Sequence, residues 1–246
     1  MFHFGGPVGA AANADGGRAA QEGIAEGTRR FLDHCISMKV KRFVNTSTGG
    51  VYGRIKASIS REDTECFPQT AYSRAKLDTD IYCMKRARET GMHIVSLRLG
   101  TVSGYNVVMR MENFLHIFAI YASIGRGLPI WRETIGKLRP FVDIRDVANA
   151  FLLAAANPLM AGNIVNVCGY NSTADGIADY IRTKIPDARN EITERGLYSQ
   201  NNFDYPMDGS KLESFGFRYK YKMKDTVDSL LPKYDFYYKT RVSKAN

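Results

Sequence analysis

At 246 residues the chain is long enough for one large domain or two small ones, and folding at that length removes roughly 70% of the unfolded surface from water. Hydrophobic residues make up 44% and charged residues 24%, a globular balance that excludes disordered, collagen-like and coiled-coil classes, while no apolar run approaches the ~20 residues of a membrane span. The net charge of +9 is concentrated late: from Arg218 to Asn246 eight Lys or Arg face three Asp, a net of +5, interleaved with Tyr219, Tyr221, Tyr234, Phe236, Tyr237 and Tyr238.

Taken in chain order, the pattern alternates. Met1 to Phe4 reads as a short apolar strand, and a glycine-rich turn leads into a helix from about Arg18 to Met38. Lys41 to Asn45 is the next strand. A loop containing Pro68 precedes an amphipathic helix from about Ala71 to Glu89, which Gly91 stops as a C-terminal glycine. His93 to Leu97 is a further apolar strand. Asp146 is placed to cap a helix through Ala156, Asn163 to Val167 is a strand, and helices follow near 173–185 and 224–231. Strands separated by helices with short joints predict a doubly wound, mostly parallel α/β sheet of Rossmann type, covered on both faces. Ligands of such a sheet bind at the carboxyl ends of the strands, so the loops after residues 4, 47 and 98 are the places to search.

Several chemistries find no footing. Cys35, Cys66, Cys83 and Cys168 form no C-x-x-C pair, and His3, His34, His93 and His116 are equally scattered; reduced thiols and no metal site are expected. The first basic residue, Arg18, follows a Gly- and Ala-rich stretch unlike a secretory leader, so a cytoplasmic protein without a membrane partner is expected. The basic, tyrosine-rich tail is compatible with stacking on nucleic acid, but a solvated helix face explains such a run more often, and a nucleic-acid partner is disfavoured.

Three Tyr-x-x-x-Lys pairs occur, Tyr52 with Lys56, Tyr72 with Lys76 and Tyr180 with Lys184, where about one is expected by chance. Tyr52 is read as ending a strand with Gly53 behind it, and Tyr180 and Lys184 as lying in a helix without an adjacent hydroxyl-bearing loop. Tyr72 and Lys76 open a helix on one face, and Asn45-Thr46-Ser47-Thr48-Gly49-Gly50 supplies hydroxyls earlier in the chain. A phenol of pKa ~10 is a poor base at neutral pH, but an ammonium a few Å away favours the phenolate. Tyr72 would then exchange a proton with a substrate alcohol or ketone while Thr48 or Ser47 orients the same oxygen. An exposed i,i+4 pair worth a few tenths of a kcal/mol fits the spacing as well.

Gly6-x-x-Gly9-x-x-Ala12 mimics a dinucleotide fingerprint, yet no acidic residue closes a following second strand. The larger pattern is more specific. Phe2-His3-Phe4-Gly5-Gly6, Lys41 to Gly53, Ala71-Tyr72-Ser73-Arg74-Ala75-Lys76, Ser96 to Gly104, Arg139 to Ala148, Gly162 to Val167, and Asp208-Gly209-Ser210-Lys211 with Gly216 stand in the order of the extended short-chain dehydrogenase/reductases. The chain resembles the NAD-dependent epimerase/dehydratase group among them. By that resemblance Thr48, Tyr72 and Lys76 are the catalytic set. Gly5, Gly6 and Ser47, with Tyr72 and Lys76, lie against NAD or NADP, and Gly49, Thr101 and Arg139 lie against a nucleotide-sugar-like substrate. Residues 1–105 correspond to a truncated Rossmann-type domain. Residues 106–246 correspond mainly to a small α/β substrate-binding part, with 140–170 returning to the first sheet.

The departures from the group carry their own expectations. Its usual members place a strand, a Gly-x-x-Gly-x-x-Gly turn, a helix and two further strands ahead of the stretch that here is Met1 to Gly6, so the isolated chain is expected to bind cofactor weakly or not at all. A homodimer or a companion chain supplying that segment is the expected partner. Ile24 and Thr101 stand where Asn is frequent, and Gly49 and Gly50 stand where the dehydratase branch has two acids, which disfavours dehydration. Two readings result: an NAD(P)-dependent epimerase or reductase, or a catalytically silent member serving as a structural or binding subunit, its basic tail on an acidic partner.

Overall fold

The computed structural model describes residues 1–7, 12, 13, 15–106, 113–194 and 203–242, the last eight by backbone alone. Its chain divides into two compact units. Unit 1 comprises 1–100, 147–168 and 205–218, and unit 2 comprises 101–146, 169–204 and 219–246. The expected boundary at 105 thus falls at Gly100. The return to the first sheet is 147–168 rather than 140–170, because the strand at 139–143 pairs elsewhere.

Unit 1 is a parallel four-stranded sheet in the order β1-β2-β3-β7, with β1 Phe2–His3, β2 Arg42–Thr48, β3 His93–Leu99 and β7 Asn163–Val167. β2 and β3 pair along their whole length, Arg42 opposite His93 and Thr48 opposite Leu99, and both bury near-continuous runs, as strands covered on both faces must. The helix before β2 runs through Arg18–Ala20 and a π-helical stretch Gln21–Glu26 into α1, Gly27–Ser37. The helix between β2 and β3 is α2, Ala71–Thr90. Thr70 and Ser73 form a reciprocal capping box at its start, and Gly91 ends it at φ +67°, a left-handed turn that costs glycine nothing.

The two outer strands differ. β1 carries Met1, Phe2 and Phe4 on its exposed side, with Phe4 packed 4.7 Å from the Phe151 ring. On β7 the backbone is met by side chains: Glu62 accepts from the Asn166 N–H at 2.7 Å, and Lys211 donates to the Ile164 carbonyl at 2.8 Å. Charged groups in those positions block further strand pairing.

Unit 2 holds β4 Thr101–Ser103, parallel to β6 Arg139–Asp143, which is antiparallel to β8 Tyr170–Ser172. A separate pair joins β5 Leu128–Trp131 to β9 Asn190–Thr193. Its helices are α3 Phe114–Ser123, α5 Ala174–Lys184 and α7 Met223–Val242. They enclose an apolar core around Leu115, Phe118, Ile177, Ile181, Val227 and Leu230. α7 runs well past the expected end at 231, with Pro232 inside it. α4, Ile144–Ala156, opens in unit 2 and continues in unit 1, and α6 is the short Ser210–Ser214. Asp146 does not cap α4 as expected. Asp143 does so, accepting from the Arg145 N–H at 3.0 Å, while the Asp146 carboxylate takes the backbone N–H groups of Lys220 and Tyr221. Among the described residues no helix is long and apolar enough to cross a membrane, and no group of His, Cys, Asp or Glu is arranged to hold a metal ion.

Candidate active site

The carboxyl end of β2 and the first turns of α2 come together in unit 1. Thr48 ends β2, and its Oγ1 accepts from the Gly50 N–H at 3.1 Å, starting the 3-10 turn Gly49–Val51; the hydroxyl proton remains available to donate. Gly50 lies between Thr48 and α2: a Cβ there would stand 3.4 Å from Thr48 Oγ1 and 3.7 Å from Ser73 Cβ. Gly50 thus stands between the Thr48 hydroxyl and Ser73, the residue that follows Tyr72. Gly49 is packed beneath Met207, whose Sδ a Cβ would meet at 2.2 Å.

Lys76 lies one turn on from Tyr72 on α2. It is 4% exposed, and its Nζ donates to the Thr46 carbonyl at 2.7 Å and stands 6.0 Å from the centre of the Tyr72 ring. Lysine and tyrosine therefore share one face at the end of β2. Burial lowers the Lys76 pKa to about 8, against the charge of Asp80 and a smaller effect of Cys83, both of which raise it. On β2 the Ser47 and Thr46 hydroxyls are buried without a hydrogen-bond partner among the described residues, a state that costs free energy unless another molecule supplies the partner.

At the end of β1, Gly6 takes φ +126°, and a Cβ there would meet Ile24 at 2.9 Å; Gly5 precedes it in the same turn. Residues 8–11, and with them Gly9 of the fingerprint-like turn, lie outside the described residues, while Ala12 is buried against Ile24 and Ala75. His3 Nε2 meets Thr28 Oγ1 at 2.9 Å, and burial first, then the Lys76 charge, lowers the His3 pKa. Thr101 and Arg139 belong to unit 2. Arg139 is buried on β6 with its guanidinium 5.5 Å from the Phe203 ring.

The other two Tyr-x-x-x-Lys pairs have separate surroundings. Tyr52 does not end a strand; it follows the 3-10 turn, fully buried, and its hydroxyl donates to Asn166 Oδ1 at 2.7 Å. Burial pushes its pKa up to about 12. Tyr180 and Lys184 both hold the exposed carboxylate of Asp228.

Beneath α2 lies a buried polar network that the motif spacing did not single out. Asp80 has no exposed surface and accepts from Arg98 Nε at 2.9 Å and from the Ser96 hydroxyl. Ser96 Oγ in turn accepts from Asn45 Nδ2 at 2.9 Å, and the Arg98 guanidinium lies 4.9 Å from the Tyr52 ring centre. The available signal was the helical period: Asp80 is four residues beyond Lys76 and so on its face. At the opposite, amino end of the sheet, a groove of about 490 Å³ is lined by Arg61, Glu62, Asn163 and Lys211. Arg61 is engaged with Asp208, and Glu62 and Lys211 with the β7 backbone.

A parallel sheet flanked by helices, with Tyr, Lys and hydroxyl groups gathered at a strand's carboxyl end, defines a Rossmann-type α/β protein. The description NAD dependent epimerase/dehydratase family matches residues 1–168, and the chain belongs to that family. It is 26% identical over 167 residues to the UDP-glucose 4-epimerase of Azospirillum brasilense, covering 62% of this chain and 48% of that one. Two solved structures share its fold. The UDP-glucose 4-epimerase of Thermotoga maritima with UDP-glucose superposes with a TM-score of 0.83 at 23% identity, over 97% of this chain and 77% of that one. A UDP-glucuronic acid 4-epimerase variant of Bacillus cereus, in complex with UDP-4-deoxy-4-fluoro-glucuronic acid and NAD, gives 0.84 at 18%, over 96% and 75%. The chain spans between about a third and two thirds of the length of the curated relatives it matches.

Proposed function

We propose that this chain carries the reacting half of an NAD(P)-dependent epimerase or reductase acting on a nucleotide sugar or a related alcohol or ketone. The observation that carries the reading is the buried Lys76 ammonium, tied to the Thr46 carbonyl and set beside the Tyr72 ring at the carboxyl end of β2. With a pKa of about 8, Lys76 is mostly charged at neutral pH, and a charge in so dry a place favours the phenolate of Tyr72 strongly. Tyr72 then takes the proton of a substrate hydroxyl, or returns it to a ketone, with the Thr48 hydroxyl orienting the same oxygen.

The donor set suits the nicotinamide side of the cofactor. Lys76 and Tyr72 would hold the ribose, and Ser47, whose buried hydroxyl has no partner among the described residues, would be satisfied there. When bound, the cofactor supplies a hydride acceptor and donor. Gly5 and Gly6 would line its approach, and Gly49, Thr101 and Arg139 are assigned to substrate. The resemblance to 4-epimerases in sequence and fold supports the sugar-nucleotide class.

The test has two arms. Calorimetric titration of the 246-residue chain with NAD and NADP sets the cofactor concentration at which turnover is then tested. At saturating cofactor, slow conversion of a UDP-hexose to its epimer, or cofactor reduction by it, should be lost in Tyr72→Phe. Turnover that survives Tyr72→Phe would overturn the assignment, and no turnover at all would favour the silent-subunit reading.

A further inference from the structure

We propose that Asp80 supports the Lys76–Tyr72 pair electrostatically, its carboxylate favouring the charged ammonium of Lys76 from one helical turn away, while Arg98 and Ser96 fix that carboxylate. The inference deepens the functional reading above and rests on it for the importance of Lys76.

Three observations converge. First, Lys76 and Asp80 stand at i and i+4 on α2, both essentially without solvent contact, so neither charge is screened by water and their attraction acts at low dielectric. Second, the carboxylate is held by two neighbours on β3, Arg98 Nε at 2.9 Å and the Ser96 hydroxyl, and Ser96 is itself held by Asn45 on β2. A carboxylate fixed so tightly keeps a defined distance to its helix neighbour. Third, Arg98 is restrained over Tyr52, whose hydroxyl is committed to Asn166, so the far end of the network is also anchored.

The charged and titratable groups around Lys76 can be named. On α2 they are Asp80 and Cys83, with the Tyr72 ring beyond; β1 brings His3, and β3 brings Arg98 onto Asp80. Burial makes the Cys83 thiol a weaker acid than usual and lowers the pKa of His3, so both are neutral at pH 7. Asp80 is therefore the anion in this set. Its loss would leave burial less opposed, and Lys76 would shed its proton at lower pH than in the parent, weakening the charge that favours the phenolate.

The test reads Lys76 itself and needs neither cofactor nor turnover, so its failure is separable from failure of the functional reading. The full chain is labelled with isotopically enriched lysine, the Lys76 resonance is assigned by Lys76→Arg, and its titration is followed by NMR in the parent and in Asp80→Asn. The midpoint should fall by about one pH unit or more, an apparent tenfold change in proton affinity. A merely structural role predicts the opposite sign, because a loosened core admits water and returns Lys76 toward its ordinary, higher value. An unchanged or raised midpoint overturns the proposal. Should Asp80→Asn fail to fold, Asp80→Asn with Arg98→Met removes the orphaned guanidinium at similar volume. Its midpoint is then compared with the parent by the same criterion.

Discussion

Helices α2 and α3 cover their units' cores with opposite materials. α3 presents Leu115, Ile117, Phe118, Ala119 and Ala122 to an apolar core, with His116 taking the Gly104 N–H as its polar exception. α2 buries Lys76, Thr79 and Asp80 alongside Ala75, Cys83 and Met84. Apolar packing stabilises by removing area from water and filling volume, whereas a buried charge stabilises only if every partner is present, and is otherwise a cost. The two helices teach where the chain gives up stability for chemistry: α2 tolerates an ammonium in a dry site, and that site is where the proposed acid–base pair lies.

The largest expected effects should divide along this line. In α3 volume decides, so Phe118→Ala, at a ring 1% exposed and 5.6 Å from Phe114, should cost about 3–5 kcal/mol, while Phe118→Leu costs much less. Beneath α2 charge decides. Asp80→Asn changes almost no volume yet strands the Arg98 guanidinium, and should cost a similar ~3–5 kcal/mol, most of it recovered when Arg98→Met is added. Equilibrium urea unfolding of the four variants checks both halves. If Asp80→Asn is as mild as Phe118→Leu, the network is not the energetic feature its burial implies.

A smaller effect, of opposite sign, is expected at Lys76. Its folded pKa of about 8 lies below the unfolded value of 10.5. Below pH 8 both states hold the proton and the folded state bears the full cost of the buried charge. Between about 8 and 10.5 the unfolded state alone keeps it, so stability rises with pH through that window. Lys76→Met should therefore stabilise the chain at pH 7, by roughly 1–3 kcal/mol, and flatten that rise, while abolishing any turnover. Denaturation midpoints at pH 7 and pH 10 in the parent and the variant decide it. A destabilised Lys76→Met would mean that the Thr46 contact outweighs desolvation.

The sequence made the strand and helix alternation of unit 1 readable because its parallel strands are buried on both faces and its helices carry ordinary stops, as Gly91 does for α2. Unit 2 was far less legible. β4, β8 and β9 run three or four residues, too short for a period to show. α7 continues through Pro232 to Val242, past the end expected near 231. At the site, Tyr72, Lys76 and Thr48 were visible through order and spacing. Asp80 and Arg98 were not, because their pairing joins α2 to β3 and depends on the fold that brings those elements together.

The smallest expected effect separates the two helical Tyr-x-x-x-Lys pairs. Tyr180 and Lys184 have the same spacing as Tyr72 and Lys76, yet they share the exposed Asp228 carboxylate, with Lys184 Nζ at 3.2 Å and the Tyr180 hydroxyl at 2.9 Å. Lys184 and Asp228 are each 43% exposed, so water competes for every contact and screens the charges, and such pairs contribute little to stability. Its hydrogen bonds to Tyr180 and then to Asp228 raise the Lys184 pKa, whereas burial lowers that of Lys76, so an identical spacing meets opposite electrostatics. Lys184→Ala should leave the urea midpoint and any turnover where they were, with sensitivity to added salt as its one measurable trace. Loss of turnover in Lys184→Ala, with Lys76→Met retaining it, would transfer the catalytic assignment from α2 to α5 and undo the contrast between a buried and a solvated copy of the same motif.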